Sequence, residues 1–146
     1  MKRTALVLIL GLMFACGGKK EGEGGAAATG DENVTWPAKP ADGTPVAFES
    51  VSVGPDKKGK DLEAKVRMFN FTDKDITRIS ATLDYLDASG KKLKDFPWGM
   101  GGPNLLPAKG TKVDEVGAFL PPETKKVAVN VRSVEFKDGT KWEAAK

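Results

Sequence analysis

The stretch that decides the fold is Leu62-Glu-Ala-Lys-Val-Arg-Met68, in which apolar and charged residues alternate without exception. Successive side chains of an extended strand point to opposite faces, so one face of this stretch is apolar and the other is charged. A strand of this kind belongs to an antiparallel sheet that covers a core with one face and meets water with the other. The stretch therefore predicts an antiparallel β protein.

Similar segments follow, separated by turn signals. Asp87–Gly90 and Pro107–Gly110 have the composition of turns, and no long window shows the period of a helix. The other predicted strands are Val46–Val53, Thr77–Leu86, Lys91–Phe96, Thr111–Leu120 and Lys126–Phe136, with a last one around Trp142. About seven strands predict an all-β chain that folds as an immunoglobulin-like antiparallel β-sandwich, with an open barrel of roughly five or six strands as the alternative.

Two of these segments change phase. The valines of Val127–Val131 share one parity, whereas Val134 and Phe136 have the other. Because a slip of one residue turns a hydrophobic set towards water, this change predicts a bulge or bend near Arg132-Ser133. A similar slip within Val46–Val53 predicts a kink in the first strand.

The last hairpin turns at Asp138-Gly139. A two-residue turn would place Phe136 and Trp142 on opposite faces, whereas a three-residue loop pairs Phe136 with Thr140 and puts both aromatic rings on one face. Burial of both rings stabilises the hairpin at about 25 cal/mol per Å². We therefore predict the three-residue loop, with the glycine in the left-handed region.

The N-terminus has the three parts of a secretory signal peptide. Lys2 and Arg3 are its charged region, Ala5–Ala15 is its apolar region, and the small residue Ala15 precedes Cys16. As a helix the apolar region would span about 16 Å, which is too short for the ~30 Å core of a bilayer. Residues 1–15 are therefore predicted to be a signal peptide.

The end of this region carries a motif. Leu12-Met-Phe-Ala-Cys16 resembles the lipobox of bacterial lipoproteins. The resemblance implies that Cys16, the only cysteine of the chain, is the lipid-attachment residue, so that acyl chains hold the protein to a membrane of the bacterial cell envelope. The same resemblance implies the outer membrane rather than the inner one, because Gly17 and not aspartate follows the cysteine. The alternative is an ordinary secretory signal with a coincidental cysteine.

Residues 16–33 are predicted to be the lipidated cysteine and a disordered Gly/Ala-rich linker. Gly17–Asn33 contains six glycines and no large apolar residue, so burial cannot offset the entropy of ordering it. Such a coil spans roughly 20–25 Å. Residues 34–146 are predicted to form the β-sandwich domain, which is long enough to have its own core.

The composition excludes several chemistries. The chain contains no histidine, which removes catalytic triads and histidine-ligated zinc. Loss of Lys2 and Arg3 with the signal peptide leaves an almost neutral chain, so nothing favours nucleic acid as a partner. We predict a protein that is not an enzyme and has no cofactor, with the membrane and a protein or glycan of the envelope as its partners.

The least ordinary segment is Phe96–Asn104, which combines three glycines and two prolines with aromatic residues and a methionine. It is predicted to be a loop. Its functional interpretation is a recognition loop for a glycan or small ligand, with Phe96, Trp98, Met100 and Asn104 as the binding residues. Its structural interpretation is a crossover between sheets, with Phe96 and Trp98 tucked over the edge of the core.

Two sets of polar and acidic residues could suggest a metal site or a catalytic site, but each lacks features that such a site needs. Asn70, Asp73 and Asp75 lack the glycine and the distal glutamate of a calcium loop, so the aspartates are predicted to cap a turn. Asp84 and Asp87 occupy an outward strand position and a turn start, which does not suit a general acid–base pair. We predict no metal site and no catalytic residue.

Three segments together look like a known domain family: Val66–Ile76, Leu83–Lys92 and Leu106–Thr111. They contain a strand that ends in Asn, a strand that ends in Tyr-x-Asp-x-x-Gly, and a Pro-x-x-Gly-Thr turn. In these features they resemble the FxLYD-type immunoglobulin-like domains of bacterial envelope proteins. The resemblance implies a non-catalytic sandwich, usually within a lipoprotein. We therefore expect a domain that binds or scaffolds another component of the envelope.

Overall fold

A computed structural model describes residues 34–116 and 119–145 of the chain. The predicted signal peptide, the predicted lipid-attachment residue Cys16 and the predicted linker over residues 16–33 lie outside the described residues. The described part forms seven strands: β1 (Val46–Pro55), β2 (Leu62–Asn70), β3 (Ile76–Leu86), β4 (Lys92–Leu106), β5 (Thr111–Val116), β6 (Lys126–Phe136) and β7 (Lys141–Glu143). Within these residues there is no apolar helix of the length needed to cross a membrane.

The strands form two antiparallel sheets, one in the order β1-β2-β5 and the other in the order β4-β3-β6-β7. This is an immunoglobulin-like sandwich of seven strands, as predicted. The open-barrel alternative is wrong, because no strand pair joins the two sheets in the described part of the chain. In the constant-type immunoglobulin arrangement the fourth strand belongs to the first sheet, whereas here β4 pairs with β3.

The apolar faces of the two sheets meet in the core. From β2 the core receives Ala64, Val66 and Met68, all fully buried, which are residues that the alternation assigns to the inner face. Leu83 and Tyr85 of β3 are also fully buried. Burial of a large apolar side chain stabilises by about 1.5–3 kcal/mol, so these opposed faces hold the sandwich together.

Both predicted irregularities are confirmed. The register between β3 and β6 shifts so that Arg132 is an extra residue without a partner in β3. In β1 the register against β2 shifts at Val51, which is 45% exposed. The bulge in β6 keeps both halves of the strand facing the core, since Val127 and Val134 are both buried although they differ in parity.

The three-residue hairpin loop is also confirmed. The Phe136 N–H donates to the Thr140 carbonyl oxygen at 2.9 Å, and Gly139 has a φ of 81°. Trp142 lies opposite Val134 in the register, so it shares a face with Phe136. Both rings are half-buried and pack against the same core cluster.

The structure corrects the prediction for Phe96–Asn104, which is not a loop. This segment lies within β4 and pairs with β3 as far as Gly101. Because β4 is an edge strand, Pro97 can lie in it with its nitrogen on the open side. Gly99 allows close approach, since a Cβ atom there would lie 3.3 Å from the Ile79 carbonyl oxygen. Proline and glycine here mark an edge strand rather than a loop.

A smaller correction concerns β5, which ends at Val116 and not at Leu120. Phe119 has a φ of 55°, a left-handed conformation that interrupts an extended strand. Its side chain is 84% exposed. The alternating pattern of Thr111–Leu120 therefore describes a strand only in its first part.

Candidate functional site

The residues predicted as a ligand site lie on β4. Phe96, Trp98 and Met100 alternate along the strand, face the interior of the sandwich and are half-buried. The Trp98 ring meets the Phe48 ring edge to face, with centroids 6.1 Å apart. Asn104 is exposed at the irregular end of the strand. The structure brings the first three residues together as packing residues between the sheets, which favours packing over glycan stacking.

The side chains considered for a calcium loop fix turns. Asn70 is fully buried and hydrogen-bonds to the backbone of its own turn and of a second turn. Asp75 accepts the Ala108 N–H at 3.0 Å and meets the Lys137 ammonium at 3.4 Å, whereas Asp73 is exposed. Residues 34–116 and 119–145 contain no group of three or more acidic, cysteine or histidine side chains that could hold a metal ion.

Asp84 and Asp87, the second acidic pair, each have their own hydrogen-bond partners. Asp84 lies 2.7 Å from the Lys92 ammonium and accepts a hydrogen bond from the Asn130 side chain at 2.9 Å. Asp87 accepts hydrogen bonds from the Ser89 hydroxyl and from the Lys91 N–H, and the first of these is the main cause that lowers the pKa of its carboxyl group. Asp84 thus links β3 to β4 and β6, and Asp87 organises the β3–β4 turn.

A groove with a partly apolar lining runs between β1 and β6. β7 pairs with β6 only at Ser133–Glu135, so no strand of the described residues is paired with the outer edge of Lys126–Val131, although β1 lies alongside it. Two adjoining cavities of about 670 Å³ and about 310 Å³ lie along this edge. They share Phe48 and Val129 in their linings. The groove therefore runs along an unpaired strand edge.

One wall of the groove is the segment Thr35–Pro37. The Trp36 ring meets Phe69 and Phe71 edge-on, with centroids 5.4 Å and 5.2 Å away. By alternation Phe69 belongs to the charged face of β2, yet it is fully buried. These aromatic contacts hold the entry segment against the outside of the first sheet.

The groove has charged residues at both ends. Lys126 lies at one end and makes no ion pair within the described residues, and Glu49 of β1, which lines the same cavity, is paired with Arg67 at 3.6 Å. Asp42 lies at the other end, where its carboxylate accepts hydrogen bonds from the Thr44 hydroxyl at 2.7 Å and the Thr44 N–H at 3.0 Å. These hydrogen bonds lower the pKa of Asp42, so the group is an anion at neutral pH. The edge of β6 thus runs from a cation to an anion.

Sequence reasoning did not identify this groove. The groove arises because the two strands of the last hairpin differ in length: β7 has the three residues Lys141–Glu143, and β6 has the eleven residues Lys126–Phe136. No family model, no curated protein and no solved structure matches this chain. The resemblance to FxLYD-type domains therefore stays a prediction.

The aspartates in the turns predict a stability that depends on pH only in acid. A hydrogen bond from the Lys74 ammonium, followed by one from the Thr140 hydroxyl, lowers the pKa of Asp138. A carboxyl group with a lowered pKa stabilises the fold above its unfolded pKa of about 3.9, and this contribution is lost as the pH falls. Since the chain has no histidine, we expect the urea midpoint to stay constant between about pH 6 and 8 and to fall below about pH 4.

The control for this pH dependence is a pair of charge-removing variants. Asp138→Asn keeps the size of the turn residue and should make the midpoint less sensitive to acid. Glu123→Gln removes an exposed carboxylate that makes no ion pair in the described part of the chain, and it should leave the acid slope unchanged. Equal slopes for both variants and the unsubstituted protein would contradict the assignment.

Proposed function

We propose that the protein is a lipid-anchored lipoprotein of the bacterial cell envelope whose immunoglobulin-like domain binds or scaffolds another envelope component without catalysis. The observation that carries the proposal is the position of Cys16, the only cysteine, directly behind the apolar run Ala5–Ala15. The role of the domain is supported by a groove along an open strand edge. The carboxylates considered for catalysis, Asp84 and Asp87, are instead engaged in an ion pair and in a turn.

The physical basis of the anchor is acyl burial. Each buried CH₂ group contributes about 0.8 kcal/mol, so one chain holds a protein only marginally and two or more hold it firmly. Residues 17–33 would then separate the membrane from the domain. An anchored domain on such a tether meets its partner at high effective concentration, because both are confined to one surface. The outer membrane is the proposed location.

Replacement of the cysteine tests the anchor. We expect the protein made in a bacterial host to begin at an acylated Cys16, as measured by mass spectrometry of the N-terminal peptide, and to sediment with membranes. Cys16→Ser should abolish acylation and membrane attachment, because serine offers no thiol for the first acyl chain. Gly17→Ser is the matched control and should stay acylated.

Two results would contradict the proposal. One is cell-derived protein that carries no acyl chain and retains residues 1–15. The other is a Cys16→Ser variant that remains in the membrane fraction to the same extent as the unsubstituted protein. Either result would remove the anchor without affecting the description of the sandwich.

A further inference from the structure

We infer that the open edge of β6 takes up an extended segment of a partner polypeptide, which adds as a strand beside Lys126–Val131 in line with β7. This binding rests on the role proposed above, and it gives that role a partner class and a place. Strand addition to an exposed sheet edge derives affinity from main-chain hydrogen bonds and specificity from pockets for alternate side chains. The backbone groups of β6, the apolar lining of the groove and its charged residues support this inference.

The backbone of β6 is available on the groove side. The Val127 N–H donates to the Ser50 hydroxyl oxygen of β1 at 3.4 Å, so it points away from β3. In an antiparallel ladder every second residue directs its backbone groups to the same side, so those of Val129 also face the groove. Edge backbone groups that have no partner strand are a template for another strand. The long bond to Ser50 is one that an incoming carbonyl oxygen can replace.

The direction of the added strand follows from β7. The Ala144 N–H donates to the Arg132 carbonyl oxygen at 2.9 Å, which continues the β6–β7 ladder beyond the last paired residues. A segment that continues the track of β7 runs antiparallel to β6, from Val131 towards Lys126. At about 3.3 Å per residue the open edge accommodates a segment of about six residues.

The shape and charge of the groove define the segment. Phe48, Val127 and Val129 give it an apolar lining, which suits alternate β-branched side chains. An antiparallel segment places its N-terminal end near Asp42 and its C-terminal end near Lys126. The preferred segment is therefore basic at its start and acidic at its end. A glycan or an acyl chain lacks alternating donors and acceptors at strand spacing.

The test uses two peptides of equal composition and the full-length acylated protein in detergent micelles. Acetylated and amidated Lys-Val-Thr-Val-Thr-Glu has the inferred polarity, and Glu-Thr-Val-Thr-Val-Lys has the reverse. We expect the first to bind with submillimolar affinity, several-fold tighter than the second, and to slow hydrogen exchange at the amides of Val127 and Val129. Lys126→Glu should abolish the preference, because each peptide then meets one attractive and one repulsive charge at the ends of the groove. Lys125→Glu, outside the linings of both cavities, is the matched control and should preserve it.

Backbone methylation separates strand addition from other binding without altering the protein. Only alternate amides of an added strand face β6, so N-methyl groups on one set should abolish binding and those on the other set should leave it intact. Absence of binding at millimolar peptide, equal effects of both methylation patterns, or protection only at amides outside Lys126–Val131 would overturn the inference. Self-association that protects the same two amides without peptide would overturn it in favour of a second copy.

Failure here and failure of the anchor are distinguishable. Acylation of Cys16 is measured by mass spectrometry on the same preparation. An acylated protein that binds neither peptide overturns the strand-addition site alone. A protein that binds the first peptide but carries no acyl chain overturns the anchor alone.

Discussion

Replacement of Phe69 by alanine is expected to lower the free energy of unfolding by about 3–5 kcal/mol, the usual range for a buried phenylalanine. The side chain lies on the outer face of the first sheet, where the alternation of β2 would expose it, yet it is fully buried. Its cover is Trp36, whose ring centroid lies 5.4 Å away. A loss of this size is a large part of the ~5–15 kcal/mol that stabilises a typical domain. Urea unfolding followed by circular dichroism measures it.

The matched control is Val113→Ala, which truncates an apolar residue of the same outer face that is 44% exposed. It should change the free energy of unfolding by no more than about 0.5 kcal/mol, because little apolar surface is lost from the core. Trp36→Ala and the double variant complete a cycle, and the coupling between the two rings should be about 0.5–1.5 kcal/mol. Similar losses for Phe69→Ala and Val113→Ala would show that the entry segment does not cover Phe69.

The inner faces of the strands were predictable because strand alternation is a local property. Each residue of Leu62–Met68 is assigned a face by its immediate neighbours, and the assignment agrees with the burial of Ala64, Val66 and Met68. The same local rule locates the bulge at Arg132, because a change of parity in one segment requires an extra residue. The same rule predicts the three-residue loop at Gly139, because only the pairing of Phe136 with Thr140 places the Phe136 and Trp142 rings on one face.

Local alternation could not predict the burial of Phe69 or the fact that Phe96–Asn104 forms part of a strand. Phe69 is covered by Trp36, which lies far away in sequence, and periodicity within β2 carries no information about it. Pro97 and Gly99 are turn formers by local propensity, but they are tolerated in β4 because that strand lies at a sheet edge. Position within a sheet is a tertiary property, and it overrides local propensity here.

The groove depends on the length of a single strand and also on how the two sheets pack. The structure limits β7 to the three residues Lys141–Glu143, so the edge of β6 is only partly covered. What lies beside that edge depends on which strand of the other sheet packs nearby. The contact of Ser50 with Val127 identifies this strand as β1, and no property of either segment alone predicts it.

Replacement of Asn70 by alanine is the second substitution with a large expected effect, a loss of about 3 kcal/mol. Asn70 is fully buried at the end of β2, and its Nδ2 group donates to the carbonyl oxygens of Lys74 at 2.8 Å and Pro107 at 2.9 Å. Its Oδ1 atom accepts the Thr72 N–H at 3.0 Å and the Thr72 hydroxyl at 2.8 Å. Each of these four hydrogen bonds contributes about 0.5–1.5 kcal/mol to stability, and alanine loses all of them.

The hydrogen bonds of Asn70 join two turns that are distant in sequence, so its loss should act on the fold as a whole rather than on one loop. Asn70→Asp separates hydrogen bonding from volume, because aspartate has the same size but no donor for the two carbonyl oxygens. It should cost at least as much as alanine at neutral pH, since it also buries a charge. Asn130→Ala, an exposed amide that bonds to Asp84, is the control and should cost no more than about 0.5 kcal/mol in urea unfolding. If Asn70→Asp unfolds at the same urea concentration as the unsubstituted protein, the two carbonyl bonds do not hold these turns together.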